Sequence, residues 1–231
     1  MEQLPMGMTL DLPEGVFPLS TDSMVLSHFC RGARGKRWLD LGSGGGTLGL
    51  LLCAEDPSRT VTGVELNAAA HEAALENIRR NALAVRMQSI CADLREVPSR
   101  FASGSFSVCV SNPPYFTGGP ASVRHPQARH EEQCSLSQLF ASVGWALKYG
   151  GDFFLVHKPD RLSEILLEGA KVGMEAKRLC LLRHREGGSI CLILLQLRKG
   201  AKPGLIWEEM ALEDGNGNPT QAFRDIYHIS D

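Results

Sequence analysis

The sequence predicts an α/β domain built on a doubly wound, mostly parallel sheet, and three observations carry that expectation. Short apolar runs alternate with stretches of helical period, the pattern of repeated β-α-β units. A glycine-rich turn, "DLGSGGG" from Asp40 to Gly46, links the first run to the helical stretch that follows it. Two later runs, 176–185 and 189–198, are separated only by Glu186, Gly187 and Gly188, too short for a parallel crossover, so they form an antiparallel hairpin. Five parallel strands closed by this C-terminal pair make a seven-stranded mixed sheet.

Each element has a local reason. "STDS" at 20–23 reads as a helix start that belongs, with the rest of residues 1–36, to an N-terminal extension and capping helix. The core, 37–199, opens on the strand Arg37–Leu41 and the helix Thr47–Glu55. It continues through a strand at 60–66 and a helix at 67–83, where Ala70, Ala74, Ile78 and Ala82 share one face. A weaker strand at 85–91, a strand Phe106–Ser111, a helix at 135–148, a strand at 151–157 and a helix at 159–172 lead to the hairpin. Residues 200–231, with "DGNGNP" at 214–219, read as a turn-rich C-terminal extension.

Composition narrows the function. A chain of 231 residues suits one domain with a full core. With 24 Lys and Arg against 26 Asp and Glu, the formal charge of −2 creates no global basic field. The balance is uneven, however: Lys171 to Lys202 holds eight Lys and Arg against two acids, and Leu205 to Asp231 holds six acids and one Arg. That block reads equally as a solvated face or as a footprint for a polyanion. The seven cysteines are odd in number, widely spaced and without a C-x-x-C pair, which fits small core residues of a reducing compartment. No signal-like start and no eighteen-residue apolar run is present, so the expectation is a cytoplasmic protein with no membrane partner.

Ligands of open α/β sheets bind outside the carboxyl ends of the strands, and the expected ends present Asp40, Glu65, Asp93 and Asn112. The glycine pattern does not choose among cofactors. A G-x-G-x-x-G fingerprint begun at Gly42 fails at Thr47, whereas one begun at Gly44 is completed by Gly49. Glu65 suits a pair of ribose hydroxyls or a helix N-terminal charge, and Asp93 an adenine amino group or an N-cap. After the fourth strand comes "SNPPYF". The Asn112 side-chain oxygen and the Pro113 carbonyl can hold the two hydrogens of a conjugated amino group, turning its lone pair toward an electrophile, while Tyr115 stacks on the planar system.

In this order and spacing "DLGSGGG", Glu65, Asp93 and "NPPY" resemble the class I S-adenosylmethionine-dependent methyltransferases that modify amino nitrogens, over about 17–198. "FPLSTDSMVLSHF", "ARHEEQCSLSQLF" and "GGDFFLVHKPDRLSEIL" are more narrowly similar to bacterial tRNA methyltransferases acting on N6 of an adenosine beside the anticodon of a valine tRNA. The resemblance implies a Rossmann-like domain with S-adenosyl-L-methionine as cofactor and no metal. It places the methionine end at Asp40, Gly42 and Gly44, the ribose at Glu65 and the adenine at Asp93 and Leu94. Thr21 and Asp22 would close over the cofactor, with a plain N-cap as the alternative. Asn112, Pro113 and Tyr115 would position the target adenine, with Pro114 and Phe116 beside it. In the long stretch at 116–134, Arg129, His130 and Glu131 would grip RNA backbone or order a lid.

The implied partner is tRNA, and the sequence leaves monomer or homodimer open. Two other substrates share the acceptor motif: a glutamine amide of a protein such as a release factor, and N2 of a guanine in rRNA. The release-factor enzymes carry a sizeable helical domain in front, whereas 36 residues precede the first strand here. The guanine enzymes commonly carry a duplicated domain, and no duplication is visible. Both points favour the tRNA reading.

Overall fold

The computed structural model describes residues 1–113 and 134–229. An antiparallel ribbon of β1 (Glu2–Gln3) and β2 (Thr9–Leu10) precedes α1 (Thr21–Phe29), which is capped by the Ser20 side chain accepting from the Ser23 N–H. The alternating units follow: β3 (Arg37–Leu41), α2 (Thr47–Glu55), β4 (Thr60–Glu65), α3 (Ala68–Arg80) and β5 (Met87–Cys91). After α4 (Val97–Arg100) come β6 (Phe106–Ser111), α5 (Leu136–Ala146), β7 (Leu147–His157) and α6 (Leu162–Lys171). The hairpin is β8 (Met174–Arg185) and β9 (Ile190–Lys199), and β10 (Ile206–Glu213) and α7 (Gln221–Tyr227) complete the chain. β3, α2 and β6 occupy the residues read from sequence. α3 and α5 start one residue later than expected, because Asn67 and Ser135 act as caps whose side chains accept from backbone N–H groups of the first turn.

The sheet has eight strands rather than the expected seven, in the order β10-β8-β9-β7-β6-β3-β4-β5. β5, β4, β3, β6 and β7 are parallel, β9 runs against both β7 and β8, and β10 is parallel to β8. Alternation along β3 sends Trp38 to one face, with α1, α2 and α7, and Leu39 and Leu41 to the other, with α5 and α6. Trp38 and Phe154 stack at 6.5 Å beneath α1, and Phe140 meets Phe153 edge-on at 5.4 Å on the opposite face. Cys30, Cys53, Cys109 and Cys180 are buried core residues, while Cys91 is exposed. Among the described residues no helix is long and apolar enough to cross a membrane.

The eighth strand comes from the stretch expected to be only turn-rich. β10 has only short apolar stretches split by Glu208 and Glu209, with Leu212 its one buried residue, and pairing with β8 rather than hydrophobicity defines it. That pairing also explains the uneven charge. Arg178 donates to both carboxylate oxygens of Glu208 at 2.6 and 3.0 Å, lies 4.2 Å over the Phe29 ring and donates to the Phe29 carbonyl. Arg185 pairs with Glu213 at 3.1 Å and Arg183 with Glu209 at 3.6 Å. Arg198 grips Asp152 with two bonds, and Lys199 donates to the Gly144 and Leu147 carbonyls. Three of the eight basic residues, Arg178, Arg183 and Arg185, therefore pair with acids of the tail across one strand pair. Arg178→Ala should lower the melting temperature by roughly 2–8 °C, for a loss of about 1–2 kcal/mol in a protein of this size. Thermal melts of the two proteins check it.

Candidate functional site

The strand order reverses at β3: the chain steps outward through β4 and β5, then returns to β6 on the other side. Such a reversal opens a crevice at the carboxyl ends of the two central strands. Here the two ends are tied together, because the buried Ser111 hydroxyl donates to the Leu41 carbonyl at 2.8 Å.

Immediately beyond β3 the chain turns back over β4. Gly42 and Ser43 N–H groups donate to the Val64 carbonyl at 2.9 and 3.2 Å. Gly42 and Gly44 have φ of +75° and +52°, and a Cβ built on either would meet nothing within 4 Å. These are therefore places where the backbone alone borders open space. Gly49, which completes the alternative fingerprint, serves packing: a Cβ there would lie 2.4 Å from the Met87 Cε on β5.

The carboxylates behave differently from one another. Glu65 is half-buried at the end of β4, and its two oxygens accept from the Gly44 N–H at 2.8 Å and the Asn67 N–H at 2.7 Å. It thus locks the glycine turn to the start of α3. Asp40 is fully buried, and its Oδ2 has no hydrogen-bond partner among the described residues. Burial first, then the nearby Glu65 charge, pushes its carboxyl up to about 8. The native value lies above that of an unfolded aspartate near 4, so protonated Asp40 contributes stability in full below about pH 4 and loses it as the pH rises through about 8. The melting temperature of the wild type relative to Asp40→Asn should therefore fall steadily from about pH 5 to about pH 8. Parallel melts of the two proteins check this, and a constant difference would place Asp40 in the ordinary carboxylate range.

Asp93 is built as an N-cap, the alternative stated for it. Its side chain accepts from the Arg95 N–H at 2.8 Å and pairs with the Arg95 guanidinium, while Glu96 reaches back to its N–H. Arg95 holds its carboxyl below the usual range. Leu94 packs half-buried on the core, and its carbonyl accepts from Ser142 at 2.8 Å. Thr21 and Asp22 form the first turn of α1, and neither is the cap, which is Ser20. The Thr21 hydroxyl lies 3.3 Å from the Tyr227 hydroxyl. Burial raises the Asp22 carboxyl, and the charge of Lys158 partly offsets it.

At the end of β6, Asn112 Nδ2 donates to the Ser23 hydroxyl at 3.0 Å, and Pro113 is buried. With its amino group spent on α1, the amide presents Oδ1 as its acceptor. Pro114, Tyr115, Phe116, Arg129, His130 and Glu131 lie outside the described residues.

Sequence reasoning passed over three supporting residues. Ser23 and Ser111 look like ordinary polar residues at element ends. Asn77 is fully buried on α3; its Nδ2 donates to the Gly45 and Asp11 carbonyls at 3.0 Å each, and its Oδ1 accepts from the Asp11 N–H at 2.9 Å. Asn81, one turn later, holds Thr9 in the same manner at 2.8 Å in both directions. An Asn inside a helix, as at 77, is unfavourable for the helix itself, and that was the available signal, whereas Asn81 is the C-cap of α3.

A protein from Bacteroides fragilis named tRNA1(Val) (adenine(37)-N6)-methyltransferase is 33% identical over 141 residues, which cover 60% of this chain and 59% of that protein. One of the same name from Shewanella sp. (strain W3-18-1) is 26% identical over 211 residues, 88% of this chain and 87% of that one. Among solved structures, a predicted O-methyltransferase, protein Atu636 from Agrobacterium tumefaciens, superposes with a TM-score of 0.73 over 90% of this chain and 96% of its own, at 21% identity. A Thermus thermophilus 16S rRNA N2 methyltransferase, solved with AdoMet and guanosine, gives a TM-score of 0.57 at 23% identity over 80% of this chain and 45% of its own. The structural likenesses establish a Rossmann-like methyltransferase fold. The model of the methyltransferase small domain matches residues 19–173, which is most of the chain and includes α1, the glycine turn and Asn112, and so the chain belongs to the methyltransferase small domain family.

Proposed function

We propose that this protein is an S-adenosyl-L-methionine-dependent N-methyltransferase that acts on N6 of an adenosine in the anticodon loop of tRNA(Val). The observation that carries the chemistry is Asn112, at the carboxyl end of β6 with its Nδ2 held by Ser23. The names borne by its relatives supply the substrate.

The residues present suit the cofactor. An orphaned, buried Asp40 oxygen calls for a hydrogen-bond partner, and the bare backbone at Gly42 and Gly44 borders space that side chains would fill. In this reading Asp40, Gly42 and Gly44 hold the methionine end, Glu65 uses its remaining lone pairs for the ribose, and Asp93 with Leu94 borders the adenine. Thr21 and Asp22, expected to close over the cofactor, line instead a neighbouring cavity between α1, β10 and α7. When bound, the cofactor supplies a methyl group on a positively charged sulfur.

The chain's own part is to present the acceptor. Asn112 Oδ1 and the Pro113 carbonyl accept the two hydrogens of the amino group, so the nitrogen lone pair is turned out of conjugation. Tyr115 stacks on the base, with Pro114 and Phe116 beside it, and Arg129 and His130 contact the RNA backbone. The amino proton leaves to water after transfer, and no general base is assigned.

Transfer from labelled S-adenosyl-L-methionine into unmodified tRNA and, in parallel, into release factor tests the reading by nucleoside and amino-acid analysis. Label in N6-methyladenosine is expected. Label in methylglutamine would move the assignment to a protein substrate, and label in N2-methylguanosine of added rRNA would change the base.

A further inference from the structure

We propose that the cavity enclosed by α1, the β8/β9 hairpin, β10 and α7 is a second nucleobase pocket, which takes a base flanking the methylated adenosine; the assignment rests on the RNA reading above. The cavity measures about 320 Å³. That is the lower end of the range of ligand sites, about 300–1,000 Å³, and suits one base rather than a length of strand.

Its position follows from the strand directions. β7, β8 and β10 end at His157, Arg185 and Glu213, and the antiparallel β9 begins at Ile190. Lys158, Leu182, Cys191 and Leu212, which line the cavity, therefore lie on the same carboxyl edge of the sheet as Asn112. The first turn of α1 stands between the two places. Ser23 holds Asn112, and the preceding Thr21 and Asp22 line the cavity. A strand whose target base enters beside Asn112 meets this opening next, across one turn of helix.

The lining has the chemistry of base recognition. Phe223 and Tyr227 of α7 form a stacked aromatic pair, 4.4 Å between centroids and 29° between planes, and the leucines supply apolar walls. Aromatic faces bind any base, so they supply affinity without sequence. Asp22 adds selectivity: its half-buried carboxyl lines the cavity near Lys158, whose charge acts on it. It can accept from the exocyclic amino group of adenine, cytosine or guanine, which uracil lacks. The Thr21 to Tyr227 contact joins the aromatic wall to α1, so the C-terminal helix completes the pocket.

The test is methyl transfer to an anticodon stem-loop in which each base flanking the target is varied in turn. Wild type is compared with Cys191→Phe, which fills the cavity from β9, and Phe223→Leu, which keeps bulk but removes the aromatic face. Melting curves and cofactor titration establish that each variant is folded and loaded. Cys191→Phe should raise the KM for the stem-loop by about tenfold or more, as loss of one stacked base would. Uridine at one flank should raise the wild-type KM by a similar factor, and Cys191→Phe should erase that discrimination. Wild-type KM values for both folded variants would overturn the pocket and leave the RNA reading in place. A wild type that binds cofactor yet methylates no RNA would overturn the reading and the pocket with it.

Discussion

Asn112→Ala should reduce kcat for methyl transfer by on the order of a thousandfold, the scale seen when one fixed hydrogen-bonding group at a reacting centre is removed. Cofactor affinity should be unchanged, since Asn112 sits on β6, across the crevice from the glycine turn and Glu65. The loss arises because one of the two acceptors that turn the amino nitrogen is gone, and the alanine methyl cannot replace it. Ser23→Ala is the graded companion. It frees the Asn112 amide to rotate while keeping its oxygen, so kcat should drop about fivefold, consistent with one hydrogen bond of about 1 kcal/mol. Single-turnover rates with saturating cofactor, together with cofactor titration, check both. Near-normal turnover by Asn112→Ala would remove it from the chemistry.

Asn77→Leu should be the most destabilising single change outside the apolar core. The leucine matches the asparagine in size but leaves the Asp11 N–H, the Asp11 carbonyl and the Gly45 carbonyl without the partners they now have. Three stranded groups, the Gly45 carbonyl buried and the two of Asp11 half-buried, cost roughly 3 kcal/mol. That corresponds to a fall of about 6–12 °C in melting temperature for a protein of this length. The glycine turn also loses its tether on the side facing α3, so cofactor affinity should weaken along with stability. Urea titration and calorimetric binding on the same preparation separate the two effects. A stable variant with normal affinity would show that Glu65 and the Val64 carbonyl hold the turn without Asn77.

Much of the architecture was legible from one dimension because its signals are local. Alternating apolar runs and helical stretches, the caps at Asn67 and Ser135 and the three-residue link at 186–188 each act within a few residues, and the strands and helices formed where they point. The strand-end residues were legible for a related reason: once a strand is placed, topology dictates which end faces the crevice. β10 was hidden because its identity as a strand comes from the Arg178, Arg183 and Arg185 partners across from it. A sequence of mixed polar and apolar residues does not carry that information.

What the sequence by itself determined is the order of the parallel core, the glycine turn and the polar residues at four strand ends, since each depends on neighbours in the chain. What only the tertiary structure decided is which of those residues are already engaged: Glu65 and Asp93 bonded to backbone and arginine, Asp40 buried with an oxygen to spare, and Asn112 turned by Ser23 from 89 positions away in sequence. Burial and hydrogen bonding are set by groups distant in the chain, and no local pattern records them.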